Sequence, residues 1–329
     1  MKFAGIIAEY DPFHNGHAWQ LAQAKALGAE RVAVVMSCSL VQRGALPLLP
    51  EAIRTRSALT CGADLVFALP APCACAGAEA FARAGVALLA AAGCDGLVFG
   101  AETPDAALLM EAAELLDSDS YRAALKAQLA GGARSFAAAR QAAAAKLASD
   151  ERVAALLDKP NNNLAVEYCR AIRSLAPRME AYPLPRQGAN HGEALHSAHG
   201  QFASASALRK LWAEGGADAV APYVPEAVFP LYQEAYAAGQ YTDFSAAGRC
   251  ELALLRSACR GKAPFADIRG VSEGLEHRLE TAVRTSTTYD ELLDALTTVR
   301  YPRARMRRLA MDAALGCTAD SLPALPPYL

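Results

Sequence analysis

The sequence predicts an α/β fold: a parallel sheet with helices on both faces, followed by a helical C-terminal part. Three observations carry this. Short apolar strand candidates alternate with helical stretches through the first hundred residues. The strands are almost continuously apolar, as strands covered on both faces must be. From about Ala217 strand signals fade and helical segments run on to the end.

The strand candidates are Lys2–Ala8, Arg31–Met36, Asp64–Ala68 and Gly96–Phe99, with one more at Met179–Pro183. Helical periodicity fills Gly16–Leu27, Glu51–Cys61 and Ala76–Ala92. Residues 103–158 are rich in Ala, Leu and Gln and read as a helical insertion, broken at Gly131-Gly132. Lys159 to Asn163 reads as a turn capping a helix from about Leu164 to Leu175. Gln187–Gln201, rich in Gly and His, reads as a mobile loop, and a further helix begins after Phe202. The expected domains are 1–216, the α/β part, and 217–329, the helical part.

Composition narrows the function classes. A chain of 329 residues with 53% hydrophobic side chains can bury a substantial core and is not disordered. A formal net charge of -2 excludes a uniformly basic nucleic-acid binder but leaves room for a local basic patch. The apolar run Ala84–Cys94 is short and lies between Arg83 and Asp95, so no membrane span is expected. The sequence opens directly on a strand, and its nine Cys lack zinc-ligand spacing. Reduced thiols in a cytoplasmic protein without structural zinc are the expectation.

The most informative segment is Gly5 to His17, in which an apolar strand runs into a Pro12- and Gly16-containing turn and then a helix. A helix start offers unpaired N–H groups and a positive dipole end, which attract phosphate. His14 and His17 there can stabilise charge growing on a nucleotide α-phosphate and its leaving pyrophosphate. Gly16 lets the backbone approach the nucleotide closely. The spacing H-x-G-H is the signature of nucleotidyl-transferring α/β enzymes that form adenylates. A second cradle is Ser204-Ala205-Ser206-Ala207-Leu208-Arg209, with hydroxyls at a helix start and Arg209 placed to hold the β/γ-phosphates.

Other positions stay open from local sequence. Arg43, in Val41-Gln42-Arg43-Gly44, reads as facing the triphosphate or an anionic substrate, or as a surface side chain in a turn. Gly100 and Glu102 read as the adenine approach or as a helix cap. Asn161, Asn162 and Arg186 read locally as turn and capping groups. His191, His196 and His199 lack carboxylate partners and read as loop residues. Arg300, Arg303, Arg305, Arg307 and Arg308 pack five guanidinium groups into nine residues beside Tyr301, which suits RNA phosphate and base stacking.

Taken in order, these segments resemble the bacterial tRNA(Met) cytidine acetate ligase family. The resemblance runs through Gly5–His17, Met36–Gly44, Gly62–Val66, Leu69-Pro70, Phe99–Glu102, Pro160–Asn162, Glu167-Tyr168, Ala203–Arg209, Gly274–Arg278, Arg300-Tyr301 and Arg305–Arg308. It implies a Rossmann-like nucleotidyltransferase sheet. It also implies an enzyme that activates acetate with ATP, giving acetyl-adenylate and pyrophosphate, and passes the acetyl group to N4 of the wobble cytidine of elongator tRNA(Met). The implied ATP site is the Ile7–Gln20 segment, with Ile7, Ala8, Glu9, Tyr10, Asp11, Pro12, Phe13, His14, Asn15, Gly16 and His17 in it, joined by Gly100, Asn161 and Arg186. Ser204, Ser206 and Arg209 complete it, with His14, His17 and Arg209 catalytic. Mg²⁺ is expected to neutralise phosphate charge, although no carboxylate cluster for it is visible.

The chain departs from the family pattern at several places. Asp11 stands where Asn is usual, Cys38-Ser39 replaces Gly-Asn, Ala68 replaces Glu and Ala101 replaces Ser. Glu51 falls where Lys is expected, and Thr297, Val299 and Pro302 replace Lys, Lys and Thr. Two alternatives follow. One is an adenylyltransferase for a small phosphorylated acceptor. The other is a catalytically inactive nucleotide- or RNA-binding homologue.

Overall fold

The computed structural model describes residues 1–132, 135–186, 195–197, 200–261, 263–320, 323, 325 and 326. Its centre is a five-stranded sheet of β1 (Phe3–Ala8), β2 (Arg31–Ser37), β3 (Leu65–Leu69), β4 (Gly96–Ala101) and β5 (Glu180–Pro185). The strand order is β3-β2-β1-β4-β5 and every pairing is parallel. All five expected strands are present, each within one or two residues of its predicted ends. Pro183 and Pro185 are tolerated because β5 is an edge strand, where a missing N–H breaks no ladder.

The order reverses between β1 and β4, which makes the carboxyl end of β1 a topological switch point, the usual ligand crevice of such sheets. Successive residues along a strand face opposite layers. Ile7, Val35, Leu97 and Phe99 join one core with α4 (Ala78–Ala91), α5 (Ala106–Asp117) and α9 (Pro160–Leu175). Ala4, Ile6, Val34, Met36 and Val98 join the other, with α1 (Asn15–Ala26), α2 (Glu51–Thr60), α10 (Ala205–Val220) and α11 (Phe229–Ala237). The helices α10 and α11 therefore still pack on the sheet beyond residue 217. Between β3 and α4 runs the short α3 (Ala71–Ala74), and the insertion adds α6 (Asp119–Ala130), α7 (Phe136–Leu147) and α8 (Glu151–Leu156).

Two local expectations are corrected. Helix α9 begins at Pro160, so the three Asn lie in its first turn rather than in a preceding loop. Proline suits a first helical position because its absent N–H would be unpaired there anyway. The segment read as a loop contains β6 (Leu195–Ser197) and β7 (Gly200–Phe202), an antiparallel pair too short to leave a periodic signal. The rest of that loop, with His191 and His199, lies outside the described residues.

The helices α12 (Phe244–Ala258), α13 (Leu275–Thr285), α14 (Tyr289–Leu296) and α15 (Arg303–Leu315) close around a core of their own, including Leu255, Leu279, Leu292 and Met306. This unit docks on the loops that follow β2 and β3. Arg269 pairs with Asp312 at 2.6 Å and donates to the carbonyls of Pro72 and Cys75. Met311 packs against Leu40 and Cys75. Gly44 has φ of +74°, and a Cβ there would lie 2.6 Å from the backbone nitrogen of Arg308, so α15 presses directly on this loop. Among the described residues no helix is long and apolar enough to cross a membrane.

Candidate active site

The turn after β1 is built by its own aromatic and imidazole side chains. Tyr10 takes φ of +50° and is buried, its ring 4.8 Å from both Phe13 and His17. The two imidazoles stack with centroids 3.7 Å apart. Helix α1 is capped by them: the Gly16 N–H donates to His14 Nδ1 at 3.1 Å, and the His14 N–H donates to His17 Nδ1 at 3.3 Å. Each Nδ1 is thus an acceptor, which leaves the proton of a neutral ring on Nε2. Burial pushes the His14 pKa down to about 3, with the Arg186 charge adding to the effect. Burial, His14 and Arg186 likewise hold His17 well below the ordinary imidazole value. Both rings are therefore neutral Nε2–H donors near pH 7.

Arg209 reaches this turn from α10, 198 residues away in sequence. It donates to the Asp11 carbonyl at 2.6 Å and to the Asp11 carboxylate at 3.0 Å. Asp11 is buried, and its other oxygen accepts the Leu48 N–H at 2.6 Å. The carboxylate that departs from the family pattern is thus the counter-ion of Arg209. Ser204 caps α10 by accepting the Ala207 N–H and lies 3.0 Å from the Ser206 hydroxyl. The two phosphate-cradle candidates therefore form one site, fastened through Asp11.

Gly100 is exposed at the end of β4, and a Cβ there would stand 3.5 Å from Arg186 Cγ. Arg186 follows β5 and acts electrostatically on both imidazoles. The Glu102 carboxylate accepts the Asn161 N–H at 3.2 Å, the Asn161 side-chain amide at 2.6 Å and the Asn162 N–H at 2.7 Å. It thereby ties the end of β4 to the start of α9, where the dipole favours an anion. Asn162 is buried and bonded to Thr103, and Asn163 donates to the Leu157 and Lys159 carbonyls. Of the three, Asn161 is the one whose side-chain amide reaches Glu102.

Sequence reasoning missed Arg54. Its side chain is fully buried and donates to the carbonyls of Leu49, Glu9, Ser37 and Cys38. It thereby knots the carboxyl ends of β1 and β2 to the loop between β2 and α2. Four scattered carbonyls leave no sequence signature; the one clue was an Arg on the inward face of α2 beside Ile53, Ser57 and Ala58. Glu9 is a second omission as a structural anchor. Its carboxylate accepts the Gln42 N–H at 2.5 Å, and burial raises its pKa.

The Arg cluster divides. Arg300 pairs with Glu273 at 2.6 Å, and Arg303 pairs with Asp290 at 2.7 Å and with Asp294. Arg305 lies over the Tyr301 ring, 5.0 Å from its centre. Arg308 donates to the Gln42 carbonyl at 3.3 Å. Arg307 and Arg305 form no ion pair within 4 Å among the described residues.

An α/β sheet whose switch-point turn carries two neutral, helix-capping imidazoles, with a distant Ser-capped helix and its Arg closed onto it, is a nucleotide-binding architecture. The chain matches the model of the HIGH Nucleotidyl Transferase family over residues 1–327. It is 34% identical over 336 residues to the tRNA(Met) cytidine acetate ligase of Acetivibrio thermocellus, covering 99% of this chain and 80% of that protein. It is 36% identical to the one of Syntrophotalea carbinolica, covering 100% and 78%. Its fold is that of Thermotoga maritima TmcAL in the apo crystal form I, with a TM-score of 0.90 and 30% identity over 97% of this chain and 77% of that one. TmcAL bound with alpha-thio ATP gives 0.88 and 29% identity, covering 97% and 76%. The chain belongs to the HIGH nucleotidyl transferases and, within them, to the tRNA(Met) cytidine acetate ligase family.

Proposed function

We propose that this protein is an ATP-dependent, adenylate-forming ligase of the cytoplasm that acetylates N4 of the wobble cytidine of elongator tRNA(Met). The observation that carries the reading is the pair of neutral Nε2–H donors at the start of α1, joined to Arg209 through Asp11. The family likeness supplies the substrates. An acetate oxygen attacks the α-phosphorus of ATP, and the bond to pyrophosphate breaks. The Nε2–H groups of His14 and His17 stabilise charge on the α-phosphate, and Arg209, Ser204 and Ser206 hold the pyrophosphate end. The cytidine N4 then attacks the acetyl carbonyl carbon, AMP leaves with the carboxylate oxygen, and the amine loses a proton.

Gly100, Asn161 and Arg186 take the nucleoside side of the site. Among the described residues no group of three or more His, Cys, Asp or Glu can hold a metal ion. Mg²⁺, when bound with the nucleotide, would neutralise phosphate charge. The α/β unit extends through α11, whose residues close the second core, and the helical unit begins at α12.

The test is ATP–pyrophosphate exchange with and without acetate, followed by acetyl transfer to tRNA(Met). Acetate-dependent exchange and acetylated tRNA are the expected results. Exchange that requires a small phosphorylated acceptor instead of acetate would give the adenylyltransferase reading. Absence of both ATP binding and exchange would leave an inactive homologue.

A further inference from the structure

Resting on the ligase reading, we infer that Arg43 is an RNA-phosphate ligand on the acceptor's path from the Arg-bearing helix to the adenylate, and not a ligand of the ATP triphosphate. The residue lies in the loop after β2, is exposed, and makes no ion pair or hydrogen bond among the described residues. The next residue, Gly44, touches α15 at Arg307 and Arg308: a Cβ on Gly44 would lie 2.7 Å from the Arg307 carbonyl carbon and 2.6 Å from the Arg308 nitrogen. Arg308 also donates to the carbonyl of Gln42, the residue before Arg43. Arg43 therefore sits between two residues, Gln42 and Gly44, that meet α15 at Arg307 and Arg308, on the seam between the two units.

The same loop faces the nucleotide turn. The Gln42 N–H is held by the Glu9 carboxylate, and Glu9 feels the charge of Arg43. Arg43 thus stands between the basic helix and the carboxyl end of β1. The phosphate side of the turn is served from elsewhere. Arg209 comes from α10 and is fastened to the turn through Asp11. An acceptor amine must come within about 3–3.5 Å of the acetyl carbon to react. A polyanion gripped by α15 and reaching that point crosses the Val41–Gly44 loop, where an unpaired guanidinium suits a backbone phosphate.

The experiment compares wild type, Arg43→Ala, Arg43→Lys and a charge-matched control, Arg122→Ala, on the exposed face of α6. Acetate-dependent ATP–pyrophosphate exchange reads the adenylate half, and filter binding and acetyl transfer with tRNA(Met) over a salt series read the acceptor half. For Arg43→Ala the KM for ATP should stay within about twofold of wild type. Its tRNA affinity should fall about tenfold, the size expected for one charge-assisted contact. The slope of log affinity against log salt should shrink by about 0.7–0.9, one phosphate's share. Arg43→Lys should keep most of the slope, because it keeps the charge, and Arg122→Ala should match wild type. A raised KM for ATP with unchanged tRNA affinity would overturn the inference, as would wild-type values in both assays. If wild type lacks exchange altogether, the ligase reading fails, while tRNA binding and its salt slope still decide the role of Arg43.

Discussion

His14 and His17 each use Nδ1 to cap α1, and on the proposed reading Nε2 serves the chemistry. Each Nδ1 closes a backbone N–H at the start of α1, so the helix itself fixes the tautomer. Replacing His14 with Ala should lower adenylate formation by about 10²–10³, the usual loss for one donor to a developing anion, and change ATP affinity far less. Single-turnover pyrophosphate release beside calorimetric ATP binding would measure both, and an unchanged rate would make His14 only a cap. Acid supplies a second check. Both rings stay neutral in the folded protein far below pH 6.5, with the His14 pKa at about 3, whereas the unfolded chain protonates them near about 6.5. The unfolded state then binds more protons, so stability falls as the pH drops from about 6.5 toward 3 and is level above that window. Urea midpoints at pH 7.5 and 5 should converge in a His14→Asn, His17→Asn variant, whose amides can still cap. An equal drop in the variant and wild type would assign the acid sensitivity elsewhere.

Among the elements, the contact between the Val41–Gly44 loop and α15 decides how the two units are joined. Ala at Gly44 faces both a positive φ and backbone atoms of α15 that cannot give way as a side chain tip does. Gly44→Ala should cost about 2–4 kcal/mol in a urea titration, combining the strained conformation with overpacking. Unaltered stability would mean that α15 is free to retreat. Elements also show what the sequence could convey. The strand–turn–helix at the start is legible because a continuous apolar run, Pro12, Gly16 and the two His all agree locally. The start of α9 was misplaced because three Asn in a row favour a turn, while Glu102, 59 residues away, accepts the N–H groups that make a helix start of them. The pairing of Asp11 with Arg209 and the four carbonyls of Arg54 join distant segments, and local pattern does not report on such meetings.

For the whole molecule, the question is how a slightly acidic protein holds a polyanion. Net charge does not help, so the grip must be local, and the ion pairs say where. Arg303 is shared between Asp290 and Asp294, and Arg300 is held by Glu273, so phosphate would have to displace a carboxylate at both. Arg305, on Tyr301, and Arg307 form no ion pair within 4 Å among the described residues, and act on Glu273 and Glu251 only at longer range. On the proposed reading, RNA phosphate at Arg305 and Arg307 would displace no carboxylate within 4 Å. Affinity for tRNA should fall with salt at about 0.7–0.9 in log–log slope per phosphate contacted. An Arg305→Ala, Arg307→Ala variant should lose close to two such shares, about 1.4–1.8 in slope, and keep wild-type ATP binding. Arg303→Ala should change the slope by well under one share, because its charge is already neutralised within the fold. Filter binding at several salt concentrations reads both variants side by side. A larger loss at Arg303 than at the Arg305 and Arg307 pair would mean that RNA opens the Asp290–Arg303–Asp294 cluster on binding, and the acceptor surface would then include α14 as well as α15.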